Sequence, residues 1–97
     1  MTIISQTHPD VLAFIACLED LIATLAEYDE RLWVDKLSLV LNLAQRRDGR
    51  CIATFEAYFG GIGSLNDLIL RGHPANTQRF RRELSQAYKL AAELKKA

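Results

Sequence analysis

Apolar residues recur at three- and four-residue intervals through most of this chain, and this spacing is the strongest constraint on its fold. Residues three or four apart share one face of an α-helix, whereas a half-buried strand requires strict alternation. In the first segment the recurring apolar residues are Val11, Phe14, Ile15, Leu18, Leu21, Ile22 and Leu25. No stretch alternates convincingly as a strand. The spacing therefore predicts an all-α protein whose first helix spans about residues 8–27.

The second predicted helix, from about Asp29 to about Arg47, is apolar around more than half of its circumference. A helix of this kind requires partners on more than one side. Its apolar residues are Leu32, Trp33, Val34, Leu37, Leu39, Val40, Leu41, Leu43 and Ala44. We expect Trp33 in the core, with an exposed interface anchor as the alternative. Acidic residues open this helix and basic residues close it, and Gly49 follows just beyond its end.

Turn and capping residues divide the rest of the chain. A third segment, about residues 50–59, stops at two glycines, and Ser64 is expected to cap a short helix through residue 70. Gly72 and Pro74 are expected to end that helix, and Asn76 to cap the last one. The prediction is one domain over residues 1–97, a compact bundle of about four helices in which the third is broken at a glycine-rich turn.

Composition limits the classes of function. The chain is 49% hydrophobic and 25% charged, with twelve basic and twelve acidic residues, and no apolar run approaches the ~18 residues that cross a bilayer. The amino terminus does not resemble a secretory signal. A neutral net charge removes the long-range field typical of nucleic-acid binding. We expect a soluble cytoplasmic protein with no membrane and no nucleic-acid partner, and with Cys17 and Cys51 reduced and buried.

Catalytic and metal-binding patterns are not recognisable. Cys51, Glu56 and Asp67 have suitable chemistry for an active site, but their types and spacing match no known arrangement. His8 and His73 are the only histidines, and further converging ligands cannot be identified. We therefore predict no catalytic residues, no cofactor and no metal.

The most informative stretch contains three glycines within four positions, Gly60, Gly61 and Gly63. Ser64 and Asp67 follow them, and their side chains can satisfy the first amides of a helix. The simplest interpretation is a tight structural turn. A partner-binding loop is the alternative. Nucleotide binding is disfavoured, because the phosphate-loop lysine is missing and Asp67 would repel a phosphate.

The segment from Phe59 to Leu68 reads Phe-Gly-Gly-Ile-Gly-Ser-Leu-Asn-Asp-Leu. It resembles the Phe-Gly-Gly-Met-Gly-Ser-Leu-Asn-Asp-Leu signature of a family of small, uncharacterised bacterial all-helical proteins, with Ile62 in place of the methionine. The resemblance extends over about residues 30–72. Proteins of this size and kind are suspected of being immunity partners of bacterial toxins, so the resemblance implies binding to a toxin as the leading hypothesis for function.

Three hypotheses remain open. The first is a non-catalytic immunity protein that neutralises a cognate toxin. The second is a homodimeric interaction module that buries the wide apolar surface of the second helix. The third is a small-ligand binder or enzyme that uses the glycine-rich loop. The residues expected to contact a partner are Gly60, Gly61, Ile62, Gly63, Asn66, Arg46, Arg47 and Arg50.

Overall fold

The computed structural model describes residues 9–59, 65 and 74–96. These residues form four α-helices and no β-strand, so the predicted all-α class and small helical bundle are confirmed. The helices are α1 (Pro9–Glu27), α2 (Arg31–Gln45), α3 (Arg50–Glu56) and α4 (Pro74–Lys96). The predicted glycine-rich turn and the short helix after Ser64 lie outside the described residues, apart from Leu65.

Helix α1 packs against both α2 and α4, and α3 contacts α2 and α4. Helix α1 packs in this way because its apolar residues are spaced along one stripe of the helix, and the residues of this stripe are fully buried. On α1 these buried residues are Val11, Phe14, Leu18, Leu21 and Leu25. On the other elements the buried apolar residues are Trp33, Leu37, Val40, Ala44, Cys51, Ile52, Phe55, Leu65, Phe80, Leu84, Ala87, Ala91 and Leu94. Among the described helices, none combines the length and apolar composition required to cross a bilayer.

The bends on either side of α2 are formed by two residues in the left-handed conformation, Asp29 with φ 59° and Arg47 with φ 57°. At each bend a backbone N–H reaches five residues back, from Glu30 to the carbonyl of Leu25 and from Asp48 to that of Leu43. This is the Schellman arrangement that ends many helices. The prediction of a helix over about 29–47 was therefore too long, because its first and last residues belong to these turns.

Gly49 is not the residue that ends α2. Its φ of −61° is ordinary right-handed geometry, and the left-handed position is occupied by Arg47. The start of α4 also differs from the prediction, since the helix begins at Pro74 rather than after a cap at Asn76. Proline suits the first turn of a helix, because its missing N–H has no intrahelical acceptor there.

The wide apolar surface of α2 is only partly used by the bundle. Trp33 is buried, which confirms its predicted place in the core. Leu32 and Leu39 are 62% and 54% exposed, although the sequence gives them the same apolar character as their buried neighbour Leu37. Part of the second helix therefore has no partner among the described residues.

Candidate functional site

A row of aromatic rings leads from the core to the surface at one side of the bundle. Phe14 of α1 contacts Phe55 of α3 edge-on, with ring centroids 5.3 Å apart. Phe55 contacts Phe59 at 5.0 Å, and Phe59 contacts Tyr88 of α4 at 4.8 Å. The first two rings are fully buried, whereas Tyr88 is 42% exposed. Edge-to-face contacts of this kind hold an exposed ring in a defined position.

The last two rings of this row border a concave surface between α4 and the turn after α3. It is an open groove of about 470 Å³, hereafter the α4 groove. Its lining consists of Phe59, Arg81, Leu84, Ser85, Tyr88 and Lys89. The five α4 residues are spaced three and four apart, so they share one face of that helix. Phe59, at the end of the turn that follows α3, forms the opposite side.

The described lining of the α4 groove carries positive charge and no carboxylate. Other cations of α4 are engaged in ion pairs, namely Arg79 with Glu83 at 3.1 Å and Lys95 with Glu56 at 3.4 Å. Within the part of the chain that the structure describes, neither Arg81 nor Lys89 forms an ion pair. The groove thus combines apolar side chains with two cations, Arg81 and Lys89, that can bind an external anion.

Of the three arginines predicted to contact a partner, Arg46 and Arg47 lie in the turn between α2 and α3, and Arg50 is the first residue of α3. Arg46 is exposed. Arg47 has a structural role, because its Nη1 donates hydrogen bonds to the carbonyl oxygens of Ala44 and Gln45, at 3.1 and 3.0 Å. These bonds add a side-chain donor to carbonyl groups in the last turn of α2, where the Ala44 carbonyl also accepts the backbone N–H of Arg47 at 3.0 Å. A binding role for the three arginines stays a prediction.

Arg50 is held by Asp48, a residue that the sequence analysis did not single out. Arg50 Nη2 lies 2.6 Å from Asp48 Oδ2, and Arg50 Nε donates to both carboxylate oxygens of Asp48 at 3.0 and 3.1 Å. Asp48 Oδ1 also accepts the backbone N–H of Arg50 at 3.0 Å, where α3 begins. The signal for this role was an aspartate just before a predicted helix start, a position that favours such side chains.

The Arg50 guanidinium and backbone N–H hold the pKa of the Asp48 carboxyl at about 2, below its usual 3.8. Hydrogen bonds to the charged form cause this shift, because they stabilise the carboxylate over the acid. The side chain of Asp48 is 7% exposed and that of Arg50 is 67% exposed. Arg50 therefore presents only part of its hydrogen-bonding capacity to solvent.

The other predicted contact residues, Gly60, Gly61, Ile62, Gly63 and Asn66, lie outside the described residues. Phe59 precedes them directly in the chain and is itself part of the α4 groove.

Trp33 takes part in a second aromatic contact, away from the α4 groove. Its ring lies 5.8 Å from that of Tyr58, and the Tyr58 hydroxyl donates to the carbonyl of Lys36 at 3.0 Å. Lys36 Nζ lies 4.7 Å from the Trp33 ring centroid and 5.4 Å from that of Tyr58. A cation over two rings is a favourable electrostatic contact. Lys36 of the same chain therefore already provides the cation that contacts these two rings.

Both cysteines are free thiols. Cys51 is buried as predicted, and burial raises the pKa of its thiol to about 11. Cys17 is only half-buried, so the prediction of burial was too strong for it. Burial also raises the pKa of Cys17. A neutral thiol is a poor nucleophile, since the thiolate is the reactive form.

The α4 groove was missed by the sequence analysis. Of the three arginines near the start of α4, Arg79, Arg81 and Arg82, the structure places only Arg81 at the groove. The available signal was the spacing of Arg81, Ser85 and Lys89, which puts them on one stripe of a helix. The facing ring, Phe59, could not be assigned to this stripe from local sequence.

A family model described as a domain of unknown function (DUF6966) matches residues 26–77. The matched range includes the α2–α3 turn and the glycine-rich stretch, and it contains the range over which the resemblance was noted. No curated protein and no solved structure gives a significant match to the chain.

Proposed function

We propose that this chain, which belongs to the family described as a domain of unknown function (DUF6966), is a non-catalytic protein that binds another protein. The observation that supports this proposal is the α4 groove. Its exposed aromatic ring is fixed by a row of contacts to the core, and two cations without described ion pairs stand beside it. Tyrosine and arginine are enriched in the residues that dominate protein interfaces.

The chemistry of the described residues favours binding over catalysis. The described lining residues of the groove do not include histidine, cysteine or a carboxylate, which are common acid–base and nucleophilic groups in active sites. The buried thiol of Cys51 has a raised pKa and lies within the core. A surface that holds an aromatic anchor and positive charge is suited to docking a complementary surface.

The more specific form of the proposal is an immunity protein that acts in the cytoplasm and neutralises a cognate bacterial toxin by covering its active site. Support comes from the resemblance of the Phe59–Leu68 segment to small bacterial proteins of this suspected role. A rigid binding surface on a small helical bundle also fits this role, because preorganisation reduces the entropy lost on association.

The experiment is affinity purification of the tagged chain from its native cells, followed by mass spectrometry and reconstitution with the purified partner. A stoichiometric partner whose toxicity is abolished by the wild-type chain would support the immunity role. A partner that is not toxic would support protein binding alone. Recovery of the chain without any partner under conditions that preserve other complexes would contradict the proposal.

Self-association is a second candidate, favoured by the exposure of Leu32 and Leu39 on α2. These positions are seven residues apart and lie on the same side of the helix, so a second copy would bury both. Sedimentation equilibrium of the wild-type chain and of Leu39→Glu tests this candidate. A dimer that dissociates in the variant would support it, and a wild-type monomer at micromolar concentration would exclude a stable dimer.

A further inference from the structure

The α4 groove has a charge pattern that specifies its partner more closely than the proposed function, on which this inference rests. We infer that the groove binds an extended acidic segment of a partner protein, in which an apolar side chain lies between two carboxylates. The apolar side chain would pack on Phe59, Leu84 and Tyr88, and the carboxylates would pair with Arg81 and Lys89.

The distance between the two cations sets the spacing of the carboxylates. Arg81 and Lys89 are separated by eight positions on one helix face, which is about 12 Å along the axis at ~1.5 Å per residue. An extended chain advances ~3.3 Å per residue, so about four residues span this distance. Side chains at positions i, i+2 and i+4 of an extended segment point to the same side. The matching pattern is therefore acidic, any, apolar, any, acidic.

The position of the apolar side chain between the two carboxylates also follows from the geometry of the groove. Tyr88 and Leu84 lie between the two cations along α4, and Phe59 faces them from the turn after α3. Phe59 and Tyr88 already contact each other at 4.8 Å, so an incoming aromatic side chain would extend the row that begins at Phe14. Offset and edge-on aromatic contacts add to the free energy gained from apolar burial.

A nucleic-acid strand is a less suitable occupant. Single-strand binding surfaces combine aromatic platforms with a continuous positive groove that follows the phosphate backbone. Here the described lining provides two cations, and the whole chain has a net charge of zero. Two localised cations suit two carboxylates of defined spacing better than a uniformly charged strand.

The test is an NMR titration of the full-length chain with the synthetic peptide Glu-Ser-Phe-Ser-Glu, capped at both ends. We expect amide shifts concentrated at Phe59, Leu84, Ser85, Tyr88 and Lys89. The matched peptides replace both glutamates with glutamine or with lysine, and we expect binding about tenfold weaker for the glutamine peptide and no binding for the lysine peptide. A single-stranded oligonucleotide serves as the competing probe.

The decisive variant is the double charge reversal Arg81→Glu with Lys89→Glu, which should bind the lysine peptide in preference to the glutamate peptide. A merely unfolded or damaged variant would bind neither. Arg82→Glu is the matched control, because Arg82 is exposed on the same helix but does not line the groove. We expect it to retain the wild-type preference.

Three results would overturn the inference: equal binding of the acidic and basic peptides, shifts that map to α1 or α2 instead of the groove, or tighter binding of the oligonucleotide. The inference and the proposed function fail separately. A native partner whose affinity is unchanged by the double charge reversal would overturn the inference and leave the proposed function standing. Peptide binding without any native protein partner would contradict the proposed function.

Discussion

The left-handed residue Asp29, between α1 and α2, allows a direct test of the backbone geometry at that bend. We compare Asp29→Gly with Asp29→Ala, so that both variants lose the carboxylate and its 3.0 Å contact with Arg31. The two variants then differ only in whether the residue carries a Cβ. Any difference in the free energy of unfolding reports on the φ of 59° at this position.

The magnitude follows from two opposing terms. A residue with a Cβ costs about 1–2 kcal/mol in the left-handed region, and glycine avoids this cost. Glycine also gains about 0.4–1 kcal/mol of conformational entropy in the unfolded chain, which reduces its advantage. We therefore expect Asp29→Gly to be more stable than Asp29→Ala by about 0.5–1 kcal/mol, a difference of roughly 2–8 °C in Tm for a domain of this size.

The assay is urea unfolding followed by far-ultraviolet circular dichroism, with an exposed helical position as the control. Ala26 lies in the last turn of α1, and Ala26→Gly should be destabilised by about 1 kcal/mol, because glycine is disfavoured inside a helix. Glycine in place of alanine should thus raise the free energy of unfolding at position 29 and lower it at position 26. Equal stability of the two Asp29 variants, or greater stability of the alanine variant, would refute the left-handed bend and the Schellman termination of α1.

Three further predictions follow from individual side chains. Leu37→Ala should lower the free energy of unfolding in urea by about 2–5 kcal/mol, because Leu37 is fully buried. Leu39→Ala on the same helix should change it by no more than about 0.5 kcal/mol, because Leu39 is exposed. Similar losses in the two variants would contradict the orientation of α2. Because its pKa is lowered on folding, Asp48 stabilises the folded state above pH 3.8 and loses this contribution as the pH falls toward about 2. Asp48→Asn should therefore flatten the dependence of the free energy of unfolding on pH in this window. An unchanged dependence would refute the pairing of Asp48 with Arg50. In thiol titration at pH 8, half-buried Cys17 should react faster than buried Cys51, whose modification should require unfolding; equal native rates would contradict the burial.

Much of the fold could be predicted from local patterns, and the errors have definite causes. The bounds of α1 were close because its apolar stripe and its first-turn proline are both local signals. The bounds of α2 were too wide because Asp29 and Arg47 are compatible with a helix until their φ values are known. The start of α4 was misplaced because proline ends one helix as readily as it begins another.

The candidate site could be predicted only in part. Arg46, Arg47 and Arg50 do lie close together in the chain where α2 ends and α3 begins, but the sequence did not indicate that Arg47 binds carbonyl groups or that Asp48 holds Arg50. These contacts depend on how α2 ends, which is set by backbone angles that charge patterns do not reveal. Gly60, Gly61, Ile62, Gly63 and Asn66 stay predictions, since they lie outside the described residues.

By itself, the sequence determined the all-α class and the buried stripe of α1, because helical faces depend only on residues three and four positions apart. It could not determine which apolar side chains of α2 face the core, since Leu37 and Leu39 have the same chemistry and differ only in their neighbours. The tertiary structure alone decided the α4 groove. Phe59 and Tyr88 are far apart in the chain, and only the packing of α3 against α4 brings their rings within 4.8 Å.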